Sequence, residues 1–175
     1  MIKRILSCYA ELLGEYLART HHQPEGMAMV GLVGSSGEPS PNKMVISLVN
    51  LEKEGSGDMS YLNQGRYNPA KKGAPLMLNL YIILSAVYES KRYSESLSVL
   101  SDTLAFIQSR PKFSTGKENC TVEVVPMSTT DLHNIWTTMG GQYYPSVICK
   151  VRSVLVDTST IVSGSGVAVK PDVKL

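Results

Sequence analysis

The sequence has too few cysteines to hold a fold together through disulfides. Cys8, Cys120 and Cys149 are an odd set, and no two of them form a C-x-x-C pair. This pattern fits reduced, mostly buried thiols better than a disulfide framework or a metal site. We therefore expect neither a cofactor nor a bound metal.

An excess of charge of one sign is also missing. The chain has 17 Lys and Arg against 15 Asp and Glu, which gives a formal net charge of +2. Such a small net charge produces no long-range field that would attract nucleic acid or anionic lipid. Overall charge therefore identifies no partner.

Long hydrophobic runs are absent as well. The apolar stretch 76–87 is interrupted by Asn79 and Ser85, and it falls short of the roughly 20 residues that a membrane helix needs. Glu11 and Glu15 interrupt the apolar residues near the N-terminus, so the pattern of a signal peptide is not met. We expect a cytosolic product with no membrane partner.

Enough apolar residues are present to build a core, since they make up 43% of 175 residues. Apolar residues at helical spacing predict an N-terminal helix ending near Thr20, a short helix around 132–136, and a central helix carrying Tyr93, Leu97, Leu100, Leu104 and Ile107. Runs rich in Val, Ile and Leu predict strands, at 27–33, 45–54, 76–84, 120–126 and 147–157. The predicted fold is α+β, with a mixed, mostly antiparallel sheet of about four to five strands packed by the N-terminal and central helices.

The last residues differ in composition from the rest. Residues 158–175 contain no aromatic residue, two Ser-Gly pairs and an alternating Val167 and Val169, so they bury little surface alone. We expect a single domain over residues 1–157, followed by a C-terminal tail or exchanged strand that orders on a partner.

Two kinds of chemistry are worth testing against the sequence. A small hydrolase or transferase would need a nucleophile and a base, for which Asp131, His133, Ser146 and Cys149 are the candidates. Asp131 and His133 are two residues apart on a predicted helix and face different directions. Ser146 lacks the Gly-x-Ser-x-Gly setting of an exposed nucleophile. A capping aspartate and a surface histidine are the favoured interpretation.

A nucleic-acid-binding module is the second alternative. The segment 61–72 holds Arg66, Lys71 and Lys72 without an acidic residue, together with two tyrosines that could stack on bases. Three positive charges on a loop are ordinary, so nucleic acid is not the favoured partner. Salt-dependent binding to oligonucleotides would support this alternative.

Several segments, in order, resemble one known family. They are the strand 75–86, the helix with Tyr93, Ser96, Leu97, Leu100 and Ile107, the short helix with Leu132, Ile135 and Trp136, and Tyr144-Pro145-Ser146-Val147 leading into the strand 149–157. Together with the opening helix and the strand ending near Leu51, they resemble the tail-terminator or cap proteins of extracellular contractile injection systems, which are phage-tail-like particles of bacteria.

The resemblance implies a structural protein without enzymatic activity. Such a subunit would form a ring, six-fold in symmetry, on the last layer of the inner tube and contractile sheath, and would stop their polymerisation. Its partners would be other copies of itself and the sheath and tube proteins. The particle would be assembled in the bacterial cytoplasm and could then be released.

The surfaces expected to make these contacts are the loop 55–73, the tail and parts of the last strand and short helix. Lys150 and Arg152 share one face of the last strand. Trp136 could anchor an interface, although Leu132 and Ile135 at helical spacing favour a core role for its ring. The candidate interface residues are Arg66, Lys71, Lys72, Trp136, Lys150, Arg152, Val167 and Val169.

Overall fold

A computed structural model describes residues 1–33, 39–54, 76–140 and 142–156. Within these ranges there are three α-helices, α1 (Ile2–Thr20), α2 (Tyr93–Ser109) and α3 (Thr129–Thr138), and a short 3₁₀ turn, Ser90–Arg92. The strands are β1 (Ala28–Val30), β2 (Lys43–Lys53), β3 (Leu76–Val87), β4 (Lys112–Ser114), β5 (Asn119–Val124) and β6 (Ser146–Val156).

The strands form one sheet in the order β1-β2-β3-β6-β5-β4. Only β1 runs parallel to its neighbour, and the other pairs are antiparallel. The predicted α+β fold, with its mostly antiparallel sheet and its N-terminal and central helices, is confirmed. The sheet gains a sixth strand from β4, a three-residue segment after Pro111 that is too short to show a strand pattern in the sequence.

Helices α1 and α2 cover one face of the sheet. The spacing of Ile5, Tyr9, Leu13 and Leu17 gives α1 a single apolar face, and all four side chains are buried. The Tyr9 ring lies 5.1 Å from the ring of Phe113, measured between centroids. This main core also contains aliphatic and aromatic side chains of the central strands and of α2, namely Met44, Ile46, Leu80, Ile82, Leu84, Val99, Phe106, Val122 and Val151.

A glycine allows α1 to approach the sheet edge closely. A Cβ atom on Gly14 would lie 3.1 Å from the backbone nitrogen of Ala28, a distance at which the neighbouring strand would have to shift. The backbone N–H of Met27 donates a hydrogen bond to the carbonyl of Gly14. This contact holds β1 beside α1.

Helix α3 covers part of the opposite face. It begins at Ser128, whose hydroxyl caps the helix by accepting a hydrogen bond from the Asp131 backbone N–H. Trp136 packs there in a second apolar cluster with Val33, Val45, Ile83, Val87 and Ile148. The sheet is thus sandwiched between two helical layers over one part of its length.

The central helix buries a different side from the one that its leucines suggest. Of the predicted positions, Ile107 is buried and Leu100 packs partly against the core, whereas Tyr93, Leu97 and Leu104 are 53%, 42% and 41% exposed. Val99 and Phe106 supply the other buried apolar side chains. Two hydroxyl residues, Ser96 and Thr103, complete the buried side, because their hydroxyls donate to carbonyls of their own helix. We call Tyr93, Leu97 and Leu104 the outer face of α2.

Candidate interaction surfaces

The described part of the chain contains three of the eight candidate interface residues, Trp136, Lys150 and Arg152. Arg66, Lys71, Lys72, Val167 and Val169 lie outside the described residues, as do the loop 55–73 and the tail 158–175. Their role as contacts stays a prediction.

Trp136 lies in the core rather than on the surface. Its side chain is 4% exposed, and its ring lies 5.7 Å from the ring of Tyr143, edge to face, and 6.0 Å from that of Tyr144. Tyr143 covers this cluster from outside and is 58% exposed. Leu132 and Ile135 pack against the same cluster, as their helical spacing with Trp136 predicted.

Lys150 belongs to a hydrogen-bonded trio on the part of the sheet that lies beyond α3. Its ammonium group donates to Glu52 Oε2 over 2.9 Å, and the hydroxyl of Tyr81 donates to the same oxygen over 2.9 Å. The Lys150 Nζ atom also lies 5.2 Å from the centroid of the Tyr81 ring, within cation–π range. Three neighbouring strands, β2, β3 and β6, each supply one member.

These contacts change the acidity of two members in opposite senses. The hydrogen bond from Lys150, followed by that from Tyr81, lowers the pKa of Glu52. The hydrogen bond to Glu52 raises the pKa of Lys150. Both groups are therefore held in their charged forms at neutral pH.

Arg152, on the same strand as Lys150, is paired in the same way with a residue of β5. Its Nε donates to Glu123 Oε1 over 2.7 Å, and its Nη2 lies 2.6 Å from the same oxygen. Lys150 stands opposite Glu123 and Arg152 opposite Thr121 in the β5–β6 register. We call Glu52, Tyr81, Glu123, Lys150 and Arg152 the charged sheet face. Its two bases and two acids balance, which favours a polar protein contact over the phosphates of nucleic acid.

Among the described strands, β2 has an edge that is only partly paired. β2 runs over 11 residues, yet β1 pairs only with Met44, Val45 and Ile46. Leu48 and Leu51, on the uncovered part, are 38% and 44% exposed. We call the stretch from Leu48 to Glu52, on the side away from β3, the open β2 edge. The sequence pattern indicated the strand, but it could not show which neighbour would be short.

The candidate hydrolase residues are not brought together. Asp131 Oδ2 accepts a 2.6 Å hydrogen bond from the Ser128 hydroxyl at the start of α3, and His133 is exposed on that helix. Ser146 lies on β6, and its hydroxyl is buried without a partner in the described structure. No hydrogen bond joins these three side chains among the residues described.

Cys149 is a poor candidate nucleophile. It is fully buried in the main core, and burial raises the pKa of its thiol to about 12. A reactive cysteine needs the thiolate, which a lowered pKa and some exposure provide. Burial likewise raises the pKa of Cys120 to about 11. Both thiols therefore behave as packing residues.

The described ranges contain no group of three or more His, Cys, Asp or Glu side chains placed to hold a metal ion. Among the helices described, none combines the length and the apolar character needed to cross a bilayer. A shallow depression of about 170 Å³ is lined by Met27, Lys43, Arg92 and Glu95 among others, but Arg92 and Glu95 are already paired there.

The fold and these surfaces define an α+β domain with a partly open strand edge, a charged sheet face and an apolar helix face. The chain belongs to the Pvc16 N-terminal domain family, whose sequence profile matches residues 9–169. The match thus extends beyond the end of β6 to Val169. The family predicted from the sequence, that of terminators of extracellular contractile injection systems, is confirmed.

Among solved structures, the chain is similar to the sheath/tube terminator of an extracellular contractile injection system, PVC, determined by cryo-electron microscopy in the extended state. The TM-score is 0.61 at 14% sequence identity, and the likeness covers 100% of this chain. The chain spans 64% of the length of that protein. No curated protein matches the sequence.

Proposed function

We propose that this chain is a structural subunit that terminates the tube and sheath of a contractile injection particle. The observation that carries the proposal is membership of the Pvc16 N-terminal domain family, together with the shared fold of a sheath/tube terminator. In this proposal the subunit has no enzymatic activity. The buried thiol of Cys149 and the separate settings of Asp131 and Ser146 support that part.

The proposed mechanism is a closed ring on the last layer of the particle. The end of a helical polymer exposes strand edges and apolar pockets that the next subunit would have filled. A ring of cap subunits binds these groups and offers no equivalent surface to a further layer. The six-fold symmetry of the ring rests on the resemblance to the terminator family.

The surfaces best suited to such contacts are extended and shallow. The charged sheet face offers fixed ion pairs, and the outer face of α2 offers Tyr93, Leu97 and Leu104 in a row. In this proposal the loop 55–73 and the tail 158–175 add contacts to neighbouring subunits or to the sheath. Assembly takes place in the bacterial cytoplasm, before the particle is released.

The proposal is tested by the length of particles made without this chain. Electron microscopy of such particles should show tubes and sheaths of uncontrolled length. Complementation with the native chain should restore a uniform length. Complementation with the His133→Ala or the Ser146→Ala variant should do so as well, because in this proposal neither the imidazole of His133 nor the hydroxyl of Ser146 has a chemical role. Uniform lengths without the chain would refute the proposal, and failure of a well-folded Ser146→Ala variant would favour an enzyme.

A further inference from the structure

The layer between the sheet and α3 contains three buried polar atoms that have no hydrogen-bond partner among the described residues. They are the hydroxyls of Ser85 and Ser146 and the indole N–H of Trp136. A buried polar group without a partner is costly, so in native proteins nearly all such groups bond to the protein or to ordered water. We propose that this layer holds a buried water site, in which one water molecule joins the two serines of the sheet to Trp136 of α3.

The strand register places the two serines side by side. Ser85 of β3 stands opposite Ser146 of β6. In the neighbouring pair, the Ala86 N–H donates to the Pro145 carbonyl. Because bonded and non-bonded pairs alternate along an antiparallel ladder, the two serines form a non-hydrogen-bonded pair, whose Cα atoms are about 4.5 Å apart. Their side chains therefore project from adjacent points on one side of the sheet.

That side of the sheet is the one that α3 covers. Residues two apart on a strand share a face, so Ser85 projects on the same side as Ile83. Ser146 likewise projects on the same side as Ile148. Both isoleucines belong to the second apolar cluster with Trp136, the buried residue of α3. The serines and the indole therefore belong to one layer of the molecule, in which Ser85 is fully buried.

The size and the chemistry of these side chains suit water. A serine is smaller than the valines and isoleucines around it, so two adjacent serines provide room that larger side chains would fill. The indole N–H can only donate, whereas each hydroxyl can both donate and accept. A water molecule can accept from the indole and form one further hydrogen bond with each hydroxyl, which gives the three bonds typical of a buried water. A charged ligand is disfavoured, because the surrounding cluster is apolar.

The water site lies inside the domain, so this inference stands independently of the proposed function. It gives α3 a polar link to β3 and β6 in addition to the apolar contacts of Trp136. Replacing a single serine leaves those apolar contacts in place. The Ser146→Ala variant is therefore compatible with normal particle length, as expected above.

The test uses the single tryptophan of the chain as a reporter. In the native full chain, a rotating-frame Overhauser experiment should show a cross-peak between the indole N–H proton and a long-lived water. The double variant Ser85→Ala, Ser146→Ala should lose this cross-peak and keep the indole signal. Ser96→Ala is the matched control and should keep the cross-peak, because Ser96 is also buried but its hydroxyl already donates to the Tyr93 carbonyl.

A crystal structure of the native full chain provides a second readout that needs no variant. It should show a water oxygen within about 3.2 Å of the indole nitrogen and of both serine hydroxyls. If the double variant does not fold, this structure decides the matter.

Three results would overturn the inference. One is a native chain without the cross-peak, and another is a folded double variant that retains it. The third is a crystal structure in which the hydroxyls of Ser85 and Ser146 bond directly to each other or to backbone carbonyls, with no water at the indole.

Discussion

At the scale of single residues, the charged sheet face depends on which strands lie side by side. Lys150 and Arg152 could be placed on one face of a strand from the sequence alone. Their partners, Glu52 and Glu123, are 98 and 29 residues away in the chain. Such pairings depend on sheet order and register, which a local pattern does not contain.

Replacing Lys150 tests the trio directly. Lys150→Met removes the hydrogen bond that lowers the pKa of Glu52 most, so that pKa should rise towards the ordinary value of a glutamate, about 4.3. The measurement is an NMR titration of the Glu52 carboxyl group.

Arg152→Met is the matched control for this titration. Arg152 contributes only the weakest of the influences on Glu52, so it should cause a smaller rise in pKa. Because the pKa of Glu52 is lowered in the folded state, the stabilisation from its carboxylate is complete above the unfolded-state pKa and is lost as the pH falls through the folded value. Equal shifts from both variants would contradict the assigned partners.

The cysteines provide a second residue-level prediction. At pH 8 a thiol with a pKa of about 12 is ionised to roughly one part in 10⁴. A thiol reagent such as Ellman's reagent should therefore modify half-buried Cys8 in the folded chain. Cys120 and Cys149 should react only as the chain unfolds.

A Cys8→Ser variant provides the control for this experiment. It should contain no thiol that reacts in the folded state, and two that react in denaturant. A fast-reacting thiol remaining in folded Cys8→Ser would show that Cys120 or Cys149 is accessible. That result would reopen the case for a cysteine nucleophile.

At the scale of elements, α2 shows how a correct periodicity can leave the orientation of a helix open. The apolar positions of this helix predicted its existence, but Leu97 and Leu104 face outward while Ser96 and Thr103 face the core. Hydroxyl groups that bond to their own helix can be buried at small cost. Which side packs was therefore decided by contacts with α1 and the sheet, such as the 5.1 Å approach of the Tyr16 and Phe106 rings.

Two alanine variants of α2 separate its faces. Phe106→Ala should lower the free energy of unfolding by roughly 3 to 5 kcal/mol, since it opens a cavity in the main core. Leu104→Ala should lower it by only about 1 kcal/mol or less, because this residue is 41% exposed on the outer face of α2 and its truncation opens no cavity in the core. Urea denaturation followed by circular dichroism measures both values.

The same pair can also reveal function at the outer face. If that face is a contact in the particle, Leu104→Ala should reduce incorporation of the chain while lowering its stability only slightly. Similar unfolding energies for the two variants would mean that the orientation of α2 described above is incorrect.

At the scale of the whole molecule, the tail and the domain are expected to act separately. Deleting residues 159–175 should leave a folded chain, because the two apolar clusters of the described ranges already draw on all the helices and on five of the strands. It should abolish control of particle length, since the tail supplies contacts to neighbours in the proposed ring. Thermal unfolding of the shortened chain and electron microscopy of the particles measure the two effects.

Normal particle lengths with the shortened chain would contradict this role of the tail. A scrambled tail of the same composition is the suitable control, because it keeps the length and charge of the segment. It should fail as the deletion does if the alternation of Val167 and Val169 is what a neighbour recognises.

Most of the architecture could be predicted from local patterns. The faces of α1 and the strands β2, β3, β5 and β6 follow from periodic apolar residues, and the aliphatic motifs of β3 and β6 indicated the family. The strand β4 was not predicted, because it has three residues and only one of them, Phe113, is buried. The open β2 edge was not predicted either, because it depends on where β1 stops pairing. The charged sheet face was not predicted because it depends on the register of strands that are distant in the sequence.

The short parallel strand β1 has a consequence for how the molecule avoids uncontrolled association. It occupies the outer side of β2 along Met44 to Ile46, so an incoming chain can advance only over the remaining few residues before it meets an obstacle. The length of any such pairing is thereby limited, and its position along β2 is fixed. A short strand can therefore pair with this edge, whereas pairing over the full length of β2 is blocked. Full-length pairing that repeats from molecule to molecule is what leads to fibres.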